Sequence, residues 1–165
     1  MQSIDLVRDN LTKSTERVLL KVEEMRDHCM VFPTPNGGSH TMWTLGHLAY
    51  IEGLVIQVFM QGKPHPLAEW KEVFDGDGVS EDPEQYPPFD EVLDACRRMR
   101  ADTMTLLASL SEDDLDRVSE DFPKGHDENF GTYRRCFQFV SDHWYMHRGQ
   151  LADARRAATL GRMWF

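Results

Sequence analysis

Apolar residues recur every three or four positions in four long stretches of the chain, a spacing typical of amphipathic helices. Ser39 or Thr41 is expected to cap the second helix and Thr132 the fourth, because a hydroxyl can accept a hydrogen bond from a first-turn N–H. The pattern therefore predicts four helices, at about residues 3–28, 39–62, 89–110 and 132–160.

The connections between these stretches are of unequal length. Residues 32–38, FPTPNGG, form a turn cluster that neither a helix nor a strand tolerates, and DFPKGHDENFG at 121–131 has the composition of a loop. Residues 62–88 hold five prolines and three glycines, with room for one short helix around 67–74. Four helices without a strand pattern predict an all-α fold, a four-helix bundle. The long connection between the second and third helices predicts that this bundle has one crossover.

Composition narrows the classes of protein that remain. The 165 residues, 41% of them hydrophobic, are enough for one domain with its own core, which we expect to span residues 1–165. A formal net charge of −10 argues against a nucleic-acid partner. No membrane span or signal peptide is evident, and three scattered cysteines do not form a disulfide framework, so we expect a cytoplasmic protein. The cysteines are Cys29, Cys96 and Cys136.

Two histidines four residues apart, His143 and His147, carry the most specific chemical signal. On a helix they lie on one face, within reach of a single metal ion. His47 falls on the apolar face of the second helix and offers a third nitrogen ligand. Three neutral imidazoles would leave a coordination position open for water or substrate, and they suit zinc, copper, iron or nickel alike.

A purely structural role for these histidines stays open at this point. Buried imidazoles can instead form hydrogen bonds with carboxylates or backbone groups, and the pair spacing alone is weak evidence. Metal-bound histidines usually donate their second N–H to an oxygen, for which Glu52, Asp142 and Gln150 are candidates. Each of these three could equally be an ordinary helix residue.

Several motifs resemble the DinB-like (DinB/YfiT) superfamily of small bacterial metal-binding helical proteins. The most specific is HWYMHRGQLADARRAATLG at 143–161, joined by GHL at 46–48. FGTYRRCFQF at 130–139 and YPPFDEVL at 86–93 are similar to one branch, related to the DinB-like domain of ergothioneine-synthase-type proteins. The resemblance covers essentially the whole chain.

This resemblance implies an up-down-down-up bundle and a metal site at His47, His143 and His147. It also implies a divalent ion such as zinc, nickel or iron, a homodimer, and relatives that are thiol-dependent transferases or isomerases. We therefore expect a metal-dependent enzyme, a thiol-dependent transferase or a hydrolase, that acts on a small-molecule substrate and uses a low-molecular-weight thiol. The alternative is a non-catalytic metal-binding or stress-associated helical dimer. In either case we expect neither a nucleic-acid nor a membrane partner.

Overall fold

The chain is helical in the computed structural model, which describes residues 2–28, 30–31, 39–76 and 78–161. Within these ranges the only β contact is an isolated antiparallel bridge between Val118 and Thr132, so the predicted all-α class is confirmed. A π-helical segment, Leu54–Phe59, continues the second helix. The α-helices of the described residues are α1 (Ser3–Glu23), α2 (Thr41–Gly53), α3 (Lys71–Phe74), α4 (Phe89–Ala108), α5 (Asp127–Phe130) and α6 (Tyr133–Ala157).

The four long helices enclose the hydrophobic core. α2 packs against α4 and α6, and α1 packs against the same two helices. Each carries its apolar residues on one face, so inner positions such as Leu11 of α1, Leu48 of α2 and Leu93 of α4 are fully buried. α2 and α6, which carry the three predicted histidines, are therefore direct neighbours.

The start of α2 differs from the prediction. Its N-cap is His40, whose Nδ1 accepts a hydrogen bond from the Trp43 N–H at 3.2 Å. The expectation that Ser39 or Thr41 would cap this helix is therefore wrong, because an imidazole nitrogen with a free lone pair serves the same purpose as a hydroxyl. The other ring nitrogen, Nε2, donates to the Ser80 carbonyl at 2.7 Å and attaches the crossover to the start of α2.

Other helix limits lie near their predicted positions. Thr132 caps α6 as predicted, accepting a hydrogen bond from the Arg135 N–H at 3.4 Å. α1 ends at Glu23 and α6 at Ala157, a few residues before the predicted ends. The end of an apolar pattern locates a helix end only to within a few residues, since terminal turns contribute little to the core.

The crossover between α2 and α4 is more regular than its composition predicts. It contains 3-10 turns at Ala68–Trp70 and Pro83–Gln85. The short helix expected around 67–74 is observed as the first of these turns followed directly by α3. Phe74, at the end of α3, is fully buried.

The turn predicted at residues 32–38, between the first two long helices, lies outside the described residues, and so does Cys29.

The segment at 121–131 is only partly the predicted loop. It contains the single-turn helix α5, whose Phe130 packs against Phe59 and Phe139, with ring centroids 5.0 and 4.7 Å apart. Aromatic contact with two longer elements therefore stabilises a turn that the sequence alone does not predict.

A buried polar network joins all four long helices. Arg100 of α4 donates from Nη2 to Glu52 Oε2 at 2.9 Å and from Nη1 to the Leu11 carbonyl at 2.9 Å. The Trp144 indole N–H donates to the same Glu52 oxygen at 2.8 Å, and the guanidinium lies 4.2 Å from the Trp144 ring centroid. Glu52 and Arg100 are 1% and 4% exposed, so the pair is shielded from water.

None of the helices in the described part of the chain combines the length and the apolar character needed to cross a membrane. The cytoplasmic location, the single domain over residues 1–165, and the partners stay predictions. Cys96 and Cys136, both buried, are free thiols.

Candidate metal centre

The structure brings the three predicted histidines together between α2 and α6. The Nε2 atom of His143 lies 3.2 Å from Nε2 of His47 and 3.0 Å from Nε2 of His147. The potential ligand atoms of the three residues all lie within 4.8 Å of one another. Nitrogen ligands of a tetrahedral ion, each about 2.0–2.1 Å from the metal, are roughly 3.3 Å apart, so this spacing fits one ion.

The hydrogen bonds of the outer ring nitrogens determine the tautomers of two of these histidines. His47 Nδ1 lies 2.7 Å from the Phe74 carbonyl oxygen, and His147 Nδ1 lies 2.5 Å from Gln150 Oε1. Both partners are acceptors, so both Nδ1 atoms carry the proton and both Nε2 atoms present a lone pair. His143 Nε2 faces two lone pairs and can donate a proton to only one of them. A cation would satisfy all three nitrogens, which is the arrangement of a metal site.

Burial keeps the imidazoles neutral. Desolvation lowers the pKa of His143 to about 2, and repulsion from His147 and His47 adds to this effect. Desolvation, followed by repulsion from His47, lowers the pKa of His147 to about 4 against the opposing effect of the Gln150 hydrogen bond, and burial also lowers the pKa of His47. Neutral imidazole is the form that binds a metal, so no proton has to leave near neutral pH.

Aromatic rings restrict two of the three imidazoles. The Trp43 indole stacks on His47 with ring centroids 4.3 Å apart and an interplanar angle of 14°. Phe139 stacks on His143 at 5.7 Å and 13°. These contacts limit the ring rotations that would separate the Nε2 atoms.

Gly46 explains the GHL motif in physical terms. A Cβ atom at this position would lie 2.1 Å from the Phe74 ring, closer than non-bonded atoms approach. Only glycine therefore lets the Phe74 ring pack this closely against α2, and the Phe74 carbonyl accepts the hydrogen bond from His47. The role of Phe74 could not be predicted from the sequence, because it depends on a backbone oxygen, which has no sequence signature.

Only one of the three predicted outer partners contacts a histidine of the cluster. Gln150 does, as described above. Asp142 is exposed and accepts a hydrogen bond from Gln138 at 2.8 Å. Glu52 is buried but binds Arg100 and Trp144 instead.

A cavity of about 390 Å³ lies next to the cluster, and His143 is one of its lining residues. A volume of this size is within the range of small-molecule pockets. The candidate centre therefore adjoins space that a ligand could occupy.

The comparisons with known proteins identify the family of the chain. A sequence model described as the DinB superfamily matches residues 10–151, which is most of the chain. The chain therefore belongs to the DinB superfamily. No curated protein and no solved structure gives a significant match.

Proposed function

We propose that this member of the DinB superfamily binds one divalent metal ion through His47, His143 and His147 and is a metal-dependent enzyme. The single observation that carries the proposal is the convergence of three Nε2 atoms with at most one proton between them. Zinc, nickel and iron are all compatible with three imidazoles.

The chemistry we propose is thiol-dependent transfer or hydrolysis on a small-molecule substrate, with a low-molecular-weight thiol as cosubstrate in the first case. The bound ion would lower the pKa of a coordinated water or thiol, or polarise a substrate oxygen. The chain's own contribution is to hold three neutral imidazoles at fixed orientations. The Phe74 carbonyl and Gln150 orient two of the rings, and the neighbouring cavity gives a substrate room beside His143.

The second candidate is a non-catalytic metal-binding or stress-associated helical dimer. Leu6 and Leu20 on α1 are 50% and 58% exposed, and their spacing of fourteen residues puts both on one side of the helix. We propose that both leucines contribute to a contact with a second copy of the chain. The proposed homodimer would use this surface in either candidate function.

We propose an up-down-down-up direction for the four long helices. Arg26, three residues beyond the end of α1, pairs with Asp90 in the first turn of α4, and Glu23 at the end of α1 pairs with Arg97 in the first half of α4 at 2.6 Å. Both pairs support antiparallel packing of these two helices. Arg155, at the end of α6, pairs with Glu24 at 3.0 Å, which supports parallel packing of α6 with α1. The long crossover would then connect α2 and α4 as parallel neighbours.

We also propose that the chain belongs to the branch related to the DinB-like domain of ergothioneine-synthase-type proteins. The support is the similarity of residues 86–93 and 130–139, which include the starts of α4 and α6.

Metal content tests the proposed site. Untagged protein, purified without chelators, is measured by inductively coupled plasma mass spectrometry beside His47→Ala, His147→Ala and the control His126→Ala. His126 is exposed and lies outside the cluster. We expect about one equivalent of a transition metal in the wild type and in the control, and strong loss in the other two variants. Full metal content in His147→Ala would contradict the assignment.

Catalysis is tested separately from metal binding. The metal-loaded protein is assayed for hydrolysis and for transfer of a low-molecular-weight thiol to small electrophiles, with His147→Ala as the matched control. Metal-dependent turnover supports the enzyme. Metal binding without turnover in either assay would favour the non-catalytic candidate.

A further inference from the structure

The cavity beside His143 lies between α5 and α6 and has two kinds of lining. Glu128 and Arg135 line it where α5 meets the first turn of α6. Phe139 and Met146 line the part nearer the histidine cluster, together with a second carboxylate, that of Asp142. His143 is the only histidine of the cluster among its lining residues. Its position makes the cavity a route from the protein surface to the candidate metal centre.

The two ring nitrogens of His143 differ in their hydrogen bonding. The residue is 9% exposed, and its Nε2 faces the other two histidines. In the ranges that the structure covers, Nδ1 of His143 has no hydrogen-bond partner, whereas Nδ1 of His47 and of His147 each have one. A ligand in the cavity would therefore lie beside an imidazole that has one ring nitrogen without a protein partner.

Two opposite charges line the cavity without pairing with each other. Arg135 comes from the first turn of α6 and Glu128 from α5. Neither side chain forms an ion pair or hydrogen bond with any described residue, although the adjacent Arg134 pairs with Glu112 and Asp116. A ligand with both an ammonium and a carboxylate group would satisfy both charges.

The apolar part of the lining runs from these charges toward His143. Phe139 follows Arg135 by four residues and His143 follows Phe139 by four, so the three lie along one face of α6. Met146 extends this face and is 58% exposed. Eight residues of helix rise roughly 12 Å, a span that suits an amino acid with a long apolar or aromatic side chain.

We propose that this cavity binds a small amino-acid-like zwitterion. Its carboxylate contacts Arg135, its ammonium group contacts Glu128, and its apolar side chain lies along Phe139 with its far end beside His143. Glu128 is assigned to the ammonium group because it lies at the same end of the cavity as Arg135, whereas Asp142 lies beside His143 and accepts a hydrogen bond from Gln138. The placement of the far end near a metal ion rests on the proposed function; the binding of the zwitterionic head does not.

Three matched probes test the recognition of the head group. L-homophenylalanine carries both charges, 4-phenylbutanoate lacks the ammonium group, and 3-phenylpropylamine lacks the carboxylate. Binding to the chelator-treated protein is measured by ligand-observed NMR. Since a charged hydrogen bond is lost in each analogue, we expect each to bind at least about tenfold more weakly than the amino acid.

Variants locate the binding site. Arg135→Gln and Glu128→Gln should each weaken L-homophenylalanine by about tenfold or more. Arg98→Gln changes an exposed arginine on α4 outside the cavity and should bind as the wild type does. All changed residues are exposed, so the variants should fold normally, as checked by circular dichroism. Equal binding of the three probes, unchanged binding in Arg135→Gln, or no binding at millimolar concentrations would overturn the proposal.

Cobalt loading separates this proposal from the metal assignment. With Co²⁺ bound at the histidines, we expect stronger paramagnetic relaxation of the probe's phenyl protons than of its α-proton. If Co²⁺ does not bind while the charge-dependent affinity remains, the metal proposal fails and the head-group site stands. If the α-proton relaxes faster than the phenyl protons, the proposed orientation is wrong.

Discussion

Replacing Glu52 by glutamine tests how far the buried network stabilises the packing of the helices that it joins. The change keeps the side-chain shape and removes one charge from a pair that is 1% and 5% exposed at its side chains. Arg100 would then hold an uncompensated guanidinium in the core. The amide oxygen could still accept from Trp144, but the new NH₂ group would occupy the position of Glu52 Oε1, which has no hydrogen-bond partner among the described residues.

Removal of one member of a buried ion pair costs about 3–5 kcal/mol, because the remaining charge loses its compensation. A domain of this size has a total unfolding free energy of about 5–15 kcal/mol, so this single change should remove a large share of it. The assay is urea denaturation followed by tryptophan fluorescence, which reports the midpoint and the slope of the transition.

Glu23→Gln is the matched control for this experiment. Glu23 pairs with Arg97 at 2.6 Å, but both side chains are more than 40% exposed. Water screens such a pair, and its loss should cost at most about 1 kcal/mol. The double variant Glu52→Leu/Arg100→Met removes both buried charges together and should recover much of the lost stability. A Glu52→Gln loss no larger than that of Glu23→Gln would refute the reasoning.

Two further changes test contacts that position the histidine cluster and the start of α2. Gly46→Ala places a methyl group against the Phe74 ring and should lower stability by about 1–3 kcal/mol and reduce metal content, because the Phe74 carbonyl would move away from His47. Gly149→Ala, where no atom lies within 4 Å of the added methyl, is its control, and equal melting temperatures would contradict the packing argument. Burial lowers the pKa of His40 in the folded state. Just below pH 6.5 the unfolded chain therefore binds a proton at this residue and the folded protein does not. The stability from this group is full above about pH 6.5 and falls as the pH decreases below it. His40→Asn retains a cap without titrating, so urea unfolding from about pH 7.5 to 5 should reveal a smaller loss than in the wild type; parallel losses would exclude this role.

The sequence predicts the helices because burial repeats with the helical period. Leu48, Leu93 and Leu151 occupy inward positions that the pattern assigns, and all three are fully buried. The same periodicity put His143 and His147 on the inward face of α6, and the structure buries both. Hydrophobic periodicity therefore predicts the features that depend on a single helix, namely its place in the chain and the face that it buries.

Features that depend on contacts between distant segments could not be predicted in this way. The cap at His40 requires the Ser80 carbonyl, which is forty residues away in the chain. α5 forms where Phe130 contacts Phe59 and Phe139. Each is a local structure stabilised by a tertiary contact, and local propensity carries no information about such a partner.

The histidine cluster combines both kinds of information. Its residue types and helix faces follow from the sequence, whereas its tautomers follow from two acceptors, a backbone oxygen of the crossover and Gln150. Without those acceptors, the three rings could share protons and pack as ordinary core histidines. With them, two lone pairs face a third nitrogen at 3.0 and 3.2 Å, an arrangement that is unfavourable without a cation. The crossover and the last helix thus supply the acceptors on which the proposed metal site depends, and the position of the Phe74 carbonyl matters to that site as much as the histidines themselves.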